Sequence, residues 1–221
     1  MTEENPNTRL EAFSDGVVAV AITLLVLDIR LPDGVGELSD AQLWAALGAM
    51  WPRLMAFLIS FAVIGVYWIN HRAKFRYIVK SDRALLLINL LFLLFVCIVP
   101  FTTSLIAENS GAVGTAIYAG GMVACGLALT WLWLHAERAG LIDPGLPPQE
   151  RQRLLLTTLL SSGVFAISVP ISFAHPDGAK FFWLLLIPAN LLLRFVAAAW
   201  WRLAHPGEPK PDRRSRGDNE T

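Results

Sequence analysis

The stretch Ser14-Asp15-Gly16-Val17-Val18-Ala19-Val20-Ala21-Ile22-Thr23-Leu24-Leu25-Val26-Leu27 starts on two polar residues and then stays apolar, interrupted only by Thr23, until Asp28. With the residues before it, it predicts a helix over about Thr8 to Leu31, stopped by Pro32, Asp33 and Gly34. The apolar part is short for a bilayer crossing. The helix must therefore carry Ser14 and Asp15 at or near one interface.

Outward from this helix the pattern repeats. Pro52, at a favourable first-turn position, opens a span reaching about His71. Ser39 or Asp40 is a candidate cap for Ala41 to Met50, which is either a separate short helix or the start of the same long one. Further spans are expected over about Arg83–Glu108, Ala112–His135, Leu154–Phe173 and Lys180–Leu203. Each reaches the roughly 20 residues that cross about 30 Å of hydrocarbon. The fold class that follows is an all-α membrane protein with six transmembrane helices per subunit. Residues 1–204 form the membrane domain, and 205–221, rich in Pro, Arg, Gly and Asp, read as a disordered tail.

Composition agrees. The chain is 55% hydrophobic and 16% charged, where soluble domains carry about 25% charged residues. The net charge of +0 gives no sign of a nucleic-acid partner. Lys and Arg are unevenly placed: Arg9, the Arg72–Arg83 cluster, Arg138, Arg151, Arg153 and the tail fall on one side. Arg30, Arg53 and Lys180 fall on the other, among Asp28, Asp33, Glu37, Asp40 and Glu108. The positive-inside rule then puts both termini in the cytoplasm. Trp44, Trp51 and Trp183 fit an outer aromatic belt, and Trp68, Trp131, Trp133, Trp200 and Trp201 an inner one. The start, Thr2-Glu3-Glu4-Asn5-Pro6, lacks the basic segment of a cleavable signal, so the first span is expected to be retained.

Little conventional chemistry is encoded. There is no GxSxG, HExxH, P-loop or dinucleotide fingerprint, which argues against an enzyme. Cys97 and Cys125 have no metal-ligand spacing and read as small packing residues, and His135, His175 and His205 are scattered at span ends. Neither a structural metal nor a cofactor is expected. No TVGYG-like segment offers a carbonyl-lined filter. Ionisable groups within a membrane invite a functional reading. Asp15 and His71 sit at one depth, because one helix enters where the other leaves, so an Asp15–His71 hydrogen bond with the Trp68 indole nearby is geometrically open. The plainer reading is three interfacial groups solvated by water and headgroups. Arg194, four residues after Asn190, reads as a snorkelling cation, and Asn89 as interhelical glue or part of a pathway.

Arg9-Leu10-Glu11-Ala12-Phe13-Ser14-Asp15-Gly16, continuing into Ala19-Val20-Ala21-Ile22-Thr23-Leu24-Leu25, resembles the first-helix signature R-x-x-x-F-S-D of the transmembrane protein 175 family. That family comprises the lysosomal potassium channel of animals and shorter bacterial relatives. Tyr67-Trp68-Ile69-Asn70-His71-Arg72 and Asn89-Leu90-Leu91 through Pro100-Phe101 to Ala107-Glu108 are similar to the bacterial members as well. The likeness is strong over the first half and rests on topology over the second. Val20 stands where the relatives carry a larger Ile or Leu.

The resemblance implies a cation channel preferring potassium, with helix one of each subunit lining a central pore. A single R-x-x-x-F-S-D implies one six-helix repeat and a homotetramer, in a bacterial plasma membrane. It implies that Val20, Thr23, Leu24 and Leu27 face the pore, near permeant potassium. Arg9, Phe13, Ser14, Asp15, Trp68 and His71 would form a packing and hydrogen-bond network. The expected partners are other copies of the chain, lipid and monovalent cations.

Helix geometry tests the pore face in part. At ~100° per residue, Thr23, Leu24 and Leu27 lie within about 60° of Val20, and Asp15 lies roughly 140° away. Arg9 and Phe13 project near the Val20 stripe unless the first turn is distorted. Such a stripe is also what ordinary packing or lipid exposure produces. A ring of Val and Leu has no ligand for an ion and closes by dewetting. Thr23 either adds a ring of hydroxyls or bonds back to the Ala19 carbonyl. The outer acidic residues read equally as a cation-concentrating vestibule or a solvated loop. The alternative function is a proton channel or proton-coupled transporter using Asp15 and His71.

Overall fold

The computed structural model describes residues 7–31, 36, 38–109 and 111–183. They form seven helices in chain order: α1 (Thr8–Leu24), α2 (Asp40–Ala49), α3 (Trp51–Phe75), α4 (Arg83–Glu108), α5 (Ala112–Arg138), α6 (Pro148–Ala174) and α7 (Pro176–Trp183). Among the described residues, five segments are long and apolar enough to cross a membrane: α1 with its following turn, α3, α4, α5 and α6. The sixth expected span, Lys180–Leu203, begins within α7; its remainder, with Asn190, Arg194, Trp200 and Trp201, lies outside the described residues, as does the 205–221 tail.

Helix α1 ends sooner than its apolar run. At Leu25 it tightens into a 3₁₀ turn, Leu25–Asp28, so the regular α-helix stops at Leu24 and not near Leu31. Helix α2 is separate from α3, with Met50 between them. Pro52 accounts for the break, because it has no N–H for the carbonyl four residues back. Ser39 and Gln42 close the α2 start, the Ser39 N–H donating to Gln42 Oε1 at 2.9 Å.

Two helices carry an internal proline, Pro100 in α4 and Pro170 in α6. Hydroxyls cluster beside each. Thr102 and Thr103 donate to the Val99 carbonyl at 3.0 and 2.8 Å, and Ser168 and Ser172 donate to Phe165 and Val169 at 2.7 Å each. These bonds go to carbonyls near each proline, not to Val96 and Ala166 four residues before it, and they keep the hydroxyl protons satisfied inside the bundle.

Helix α5 packs on α4 and on α6, while α1 lies against α3 and α4. The closest approach is at Gly126 on α5, where an added Cβ would fall 1.9 Å from Ser162 Oγ of α6 and 3.1 Å from Tyr67 Oη of α3. A second apolar cluster, including Phe75, Ile78, Leu85, Leu132 and Trp133, sits where α3 ends and α4 begins. There the 76–82 connection pairs with the loop after α5 through an Ile78–Ile142 bridge. Gly140, at φ 66°, makes that loop: Leu141 N–H bonds Ala136 O at 2.9 Å and Gly140 N–H bonds Glu137 O at 3.3 Å. This is the left-handed helix stop that glycine permits.

Exposure divides the tryptophans expected in the aromatic belts. Trp44, Trp51 and Trp131 are exposed. Trp133 and Trp183 are buried, and Trp183 donates to Ser168 Oγ at 2.8 Å. For Trp183 the internal acceptor removes the need for the interface, whereas the Trp133 indole N–H is buried without a hydrogen-bond partner among the described residues.

Candidate functional site

The buried residues of α1 are Ser14 and Val18, then Ala21, with Leu25 continuing the series in the 3₁₀ turn. Their spacing of three and four keeps them on one face. The opposite face holds Val20, Leu24 and Leu27, exposed by 58, 43 and 59%, with Thr23 exposed among them. The four residues singled out for a pore thus lie together on the face that the subunit leaves uncovered. Leu27 reaches that face from the 3₁₀ turn. Thr23 Oγ1 donates to the Val20 carbonyl at 2.8 Å, one residue later than the Ala19 carbonyl expected from sequence. Its proton is occupied by backbone, and its lone pairs remain as acceptors.

In the N-terminal half of α1, two neighbouring side chains are held by different helices. Trp68 Nε1 of α3 donates to Asp15 Oδ1 at 2.8 Å, and the Arg72 guanidinium lies 5.6 Å above the Trp68 ring. Ser14 belongs to a second chain of bonds. His71 Nε2 donates to Asn89 Oδ1 at 2.8 Å, Asn89 Nδ2 donates to Ser14 Oγ at 2.9 Å, and Ser14 Oγ donates to the Leu10 carbonyl at 2.8 Å. Each group spends its donor on the next, so the order of the chain fixes the Nε2–H form of His71. The His71 ring is stacked between Phe75 and Phe92, with centroids 4.3 and 5.3 Å away.

The pairing differs from the sequence expectation. Asp15 bonds Trp68 and His71 bonds Asn89; among the described residues there is no Asp15–His71 hydrogen bond. Asn89, fully buried on α4, connects His71 to Ser14. Its place in a leucine-rich span was the available signal, since an isolated amide there must find partners. Arg9 and Phe13 stand apart from this network. Both are exposed on the Val20 side of a helix that is regular from Thr8, and neither bonds another described residue.

The turn that follows α1 has its own tie, which sequence did not reveal. Ser104 Oγ of α4 bonds Asp28 Oδ2 in the 3₁₀ turn. Asp28 is half-buried, turned toward α4 instead of standing free among the acidic residues of the loop. Helix α1 is therefore bonded to its neighbours at both ends. Its middle rests on apolar contacts through Val18 and Ala21.

Comparison with known proteins places this arrangement. Residues 9–100 match the family described as the endosomal/lysosomal potassium channel TMEM175. A Streptomyces collinus protein named as a potassium channel is 42% identical over 175 residues, covering 76% of this chain and 84% of that protein. A human protein named as the endosomal/lysosomal proton channel TMEM175 is 46% identical over 93 residues, 40% of this chain and 18% of that protein. The crystal structure of a potassium-selective TMEM175 homologue from Chamaesiphon minutus superposes with a TM-score of 0.74 at 31% identity, covering 88% of this chain and 99% of that one.

Proposed function

The chain belongs to the TMEM175 family, and from that premise we propose that it is a potassium-preferring cation channel whose pore is lined by α1. The observation that carries the reading is the uncovered stripe Val20, Thr23, Leu24, Leu27 on a helix whose other face is fastened at both ends. Four copies around one axis would turn these stripes inward. The subunit then has six spans, residues 1–204 form the channel domain, and 205–221 are a cytoplasmic tail. Both termini lie inside a bacterial plasma membrane, and lipid, monovalent cations and further copies of the chain are its partners.

Val and Leu rings offer no oxygen to replace an ion's hydration shell. They close by dewetting and, when wide enough, favour the cation that sheds water most cheaply. Potassium does so more readily than sodium. Thr23 adds an oxygen ring between apolar layers, its hydroxyl proton held by the Val20 carbonyl and its lone pairs available to the ion. Selectivity is therefore modest, and no cofactor takes part. Reconstitution in planar bilayers under potassium and sodium replacement tests the reading. Silent recordings from folded protein would refute it.

A proton pathway through Asp15 and His71 is the second reading, favoured by the proton-channel name of the vertebrate relatives. Between Asp15 and Asp28, however, α1 offers only Thr23 as a polar side chain. Proton flux into pH-jumped vesicles without potassium current would support it over the first.

A further inference from the structure

Lys74 looks from sequence like one more cation of the basic segment that follows the second span. In the structure it is fully buried in the last turns of α3. Its Nζ donates to the Leu154 carbonyl at 2.7 Å, bonds Thr158 Oγ1, and lies 6.0 Å from the centre of the Trp133 ring. None of the ion pairs among the described residues includes it. The Lys74 amino group thus has only neutral company: a carbonyl, a hydroxyl and an aromatic face.

Stability does not account for this choice. The Leu154 carbonyl already accepts from Thr157 Oγ1 at 3.1 Å and Thr158 Oγ1 at 3.3 Å, so neither partner depends on the lysine. Burying a charge costs free energy that neutral ligands only partly return, and an apolar side chain of similar volume often serves at least as well. An ionisable side chain kept within a membrane bundle calls for a function.

Its place on α3 indicates which one. Trp68, His71 and Lys74 are spaced by three residues, and at ~100° per residue each step turns the helix by about 60° in the same sense. The three side chains fan out to three sets of neighbours: Trp68 to Asp15 of α1, His71 to Asn89 of α4, and Lys74 to α5 and α6. We infer that Lys74 is a positioning residue for the pore: it sets the rotation of the inner half of α3 against α5 and α6, and through Trp68 and His71 this fixes where α1 stands. The inference rests on the channel reading above.

The test compares wild type, Lys74→Met, Trp68→Phe and the double variant in planar bilayers, with oligomer size and melting temperature measured in parallel. Lys74→Met is expected to assemble and melt like wild type, because it strands no hydrogen-bonding partner. Its open probability or potassium/sodium permeability ratio is expected to shift by about twofold or more, the scale on which changes along a coupled network act. In the Trp68→Phe background the same substitution should produce less than half that shift. Unchanged values in Lys74→Met, or fully additive effects in the double variant, would overturn the inference while wild-type current still supports the channel. If Lys74→Met fails to assemble, Thr158→Val decides: it keeps the charge, removes one ligand and must shift the same quantities, and wild-type values there overturn the inference. A silent wild type refutes the channel reading and removes this one with it.

Discussion

Trp68 gives its indole N–H to the Asp15 carboxylate at 2.8 Å, while His71, three residues on, turns away from Asp15 to Asn89. Adjacent residues of α1, Ser14 and Asp15, are thus held by separate bonds from α4 and α3. Trp68→Phe keeps an aromatic ring, though a smaller one, and removes the donor. Because Asp15 is exposed, the loss is expected near the lower end for a bond to a charged group, about 1.5 kcal/mol. Asp15→Asn retains an acceptor oxygen and should lower the melting temperature less than Trp68→Phe. Equal losses would show that the carboxylate charge matters more than the bond.

The exposed stripe predicts a separable effect on permeation. Leu24→Asn or Leu27→Asn places an amide where the pore reading puts an apolar ring, so the closed state should hold water more readily. Higher open probability and a changed potassium/sodium ratio are expected, with little effect on melting because both side chains are exposed on the subunit and lie outside its core. Unaltered single-channel records from both variants would remove α1 from the pore wall.

At the 3₁₀ turn after α1, Ser104→Ala leaves the Asp28 charge and deletes its bond. If Asp28 acts as an anchor for the 3₁₀ turn, Ser104→Ala and Asp28→Asn should alter gating in the same direction. A charge acting at long range would instead make Asp28→Asn alone lower the conductance, and more so in dilute salt. The expected outcome is the shared gating change.

Gly126→Ala should destabilise the α3–α5–α6 contact by about 1–3 kcal/mol, the usual cost of overpacking. Its new methyl would meet Ser162 Oγ at 1.9 Å and Ser162 Cβ at 3.1 Å. Adding Ser162→Ala removes the first clash and keeps the second, so the thermal melt should recover only in part.

Asp82 caps α4 by accepting from the Leu85 N–H at 2.7 Å, and it also accepts from His135 Nε2 at 2.9 Å. The Leu85 bond, helped by His135, holds its carboxyl below the ordinary value of 3.8. A depressed folded pKa means that the stabilisation is complete above the unfolded value and disappears as pH falls through the folded one. Melting temperature should therefore lose this contribution only below about pH 4. Asp82→Asn keeps an N-cap acceptor and should flatten that acid limb, whereas Asp82→Ala should also lose about 0.5–2 kcal/mol near neutral pH.

Long apolar runs broken by Pro, Gly and charge made the spans readable, and Arg83–Glu108 was read to the residue. The family resemblance singled out Val20, Thr23, Leu24 and Leu27, and 3.6-residue periodicity, which survives through Leu24, put them on one stripe without saying what that stripe faces. What escaped were choices made between segments. His71 could bond Asp15 or Asn89 at the same depth, and only the packing of α1, α3 and α4 selects the amide. Lys74 carries the composition of a loop cation, and its burial depends on α6 returning beside α3, some 80 residues later in the chain. The Asp28–Ser104 tie is separated by 76 residues and has no local pattern at all.

The hidden flank of α1 is built from Ser14, Val18 and Ala21, which are small or modest in size. On the tetramer reading these residues act as shims, because the thickness of what lies behind a wall fixes how far it stands from the centre line. A larger side chain at Ala21 would push all four walls inward and narrow the bore, although Ala21 itself never meets an ion. Substitutions that tune conduction need not touch the water.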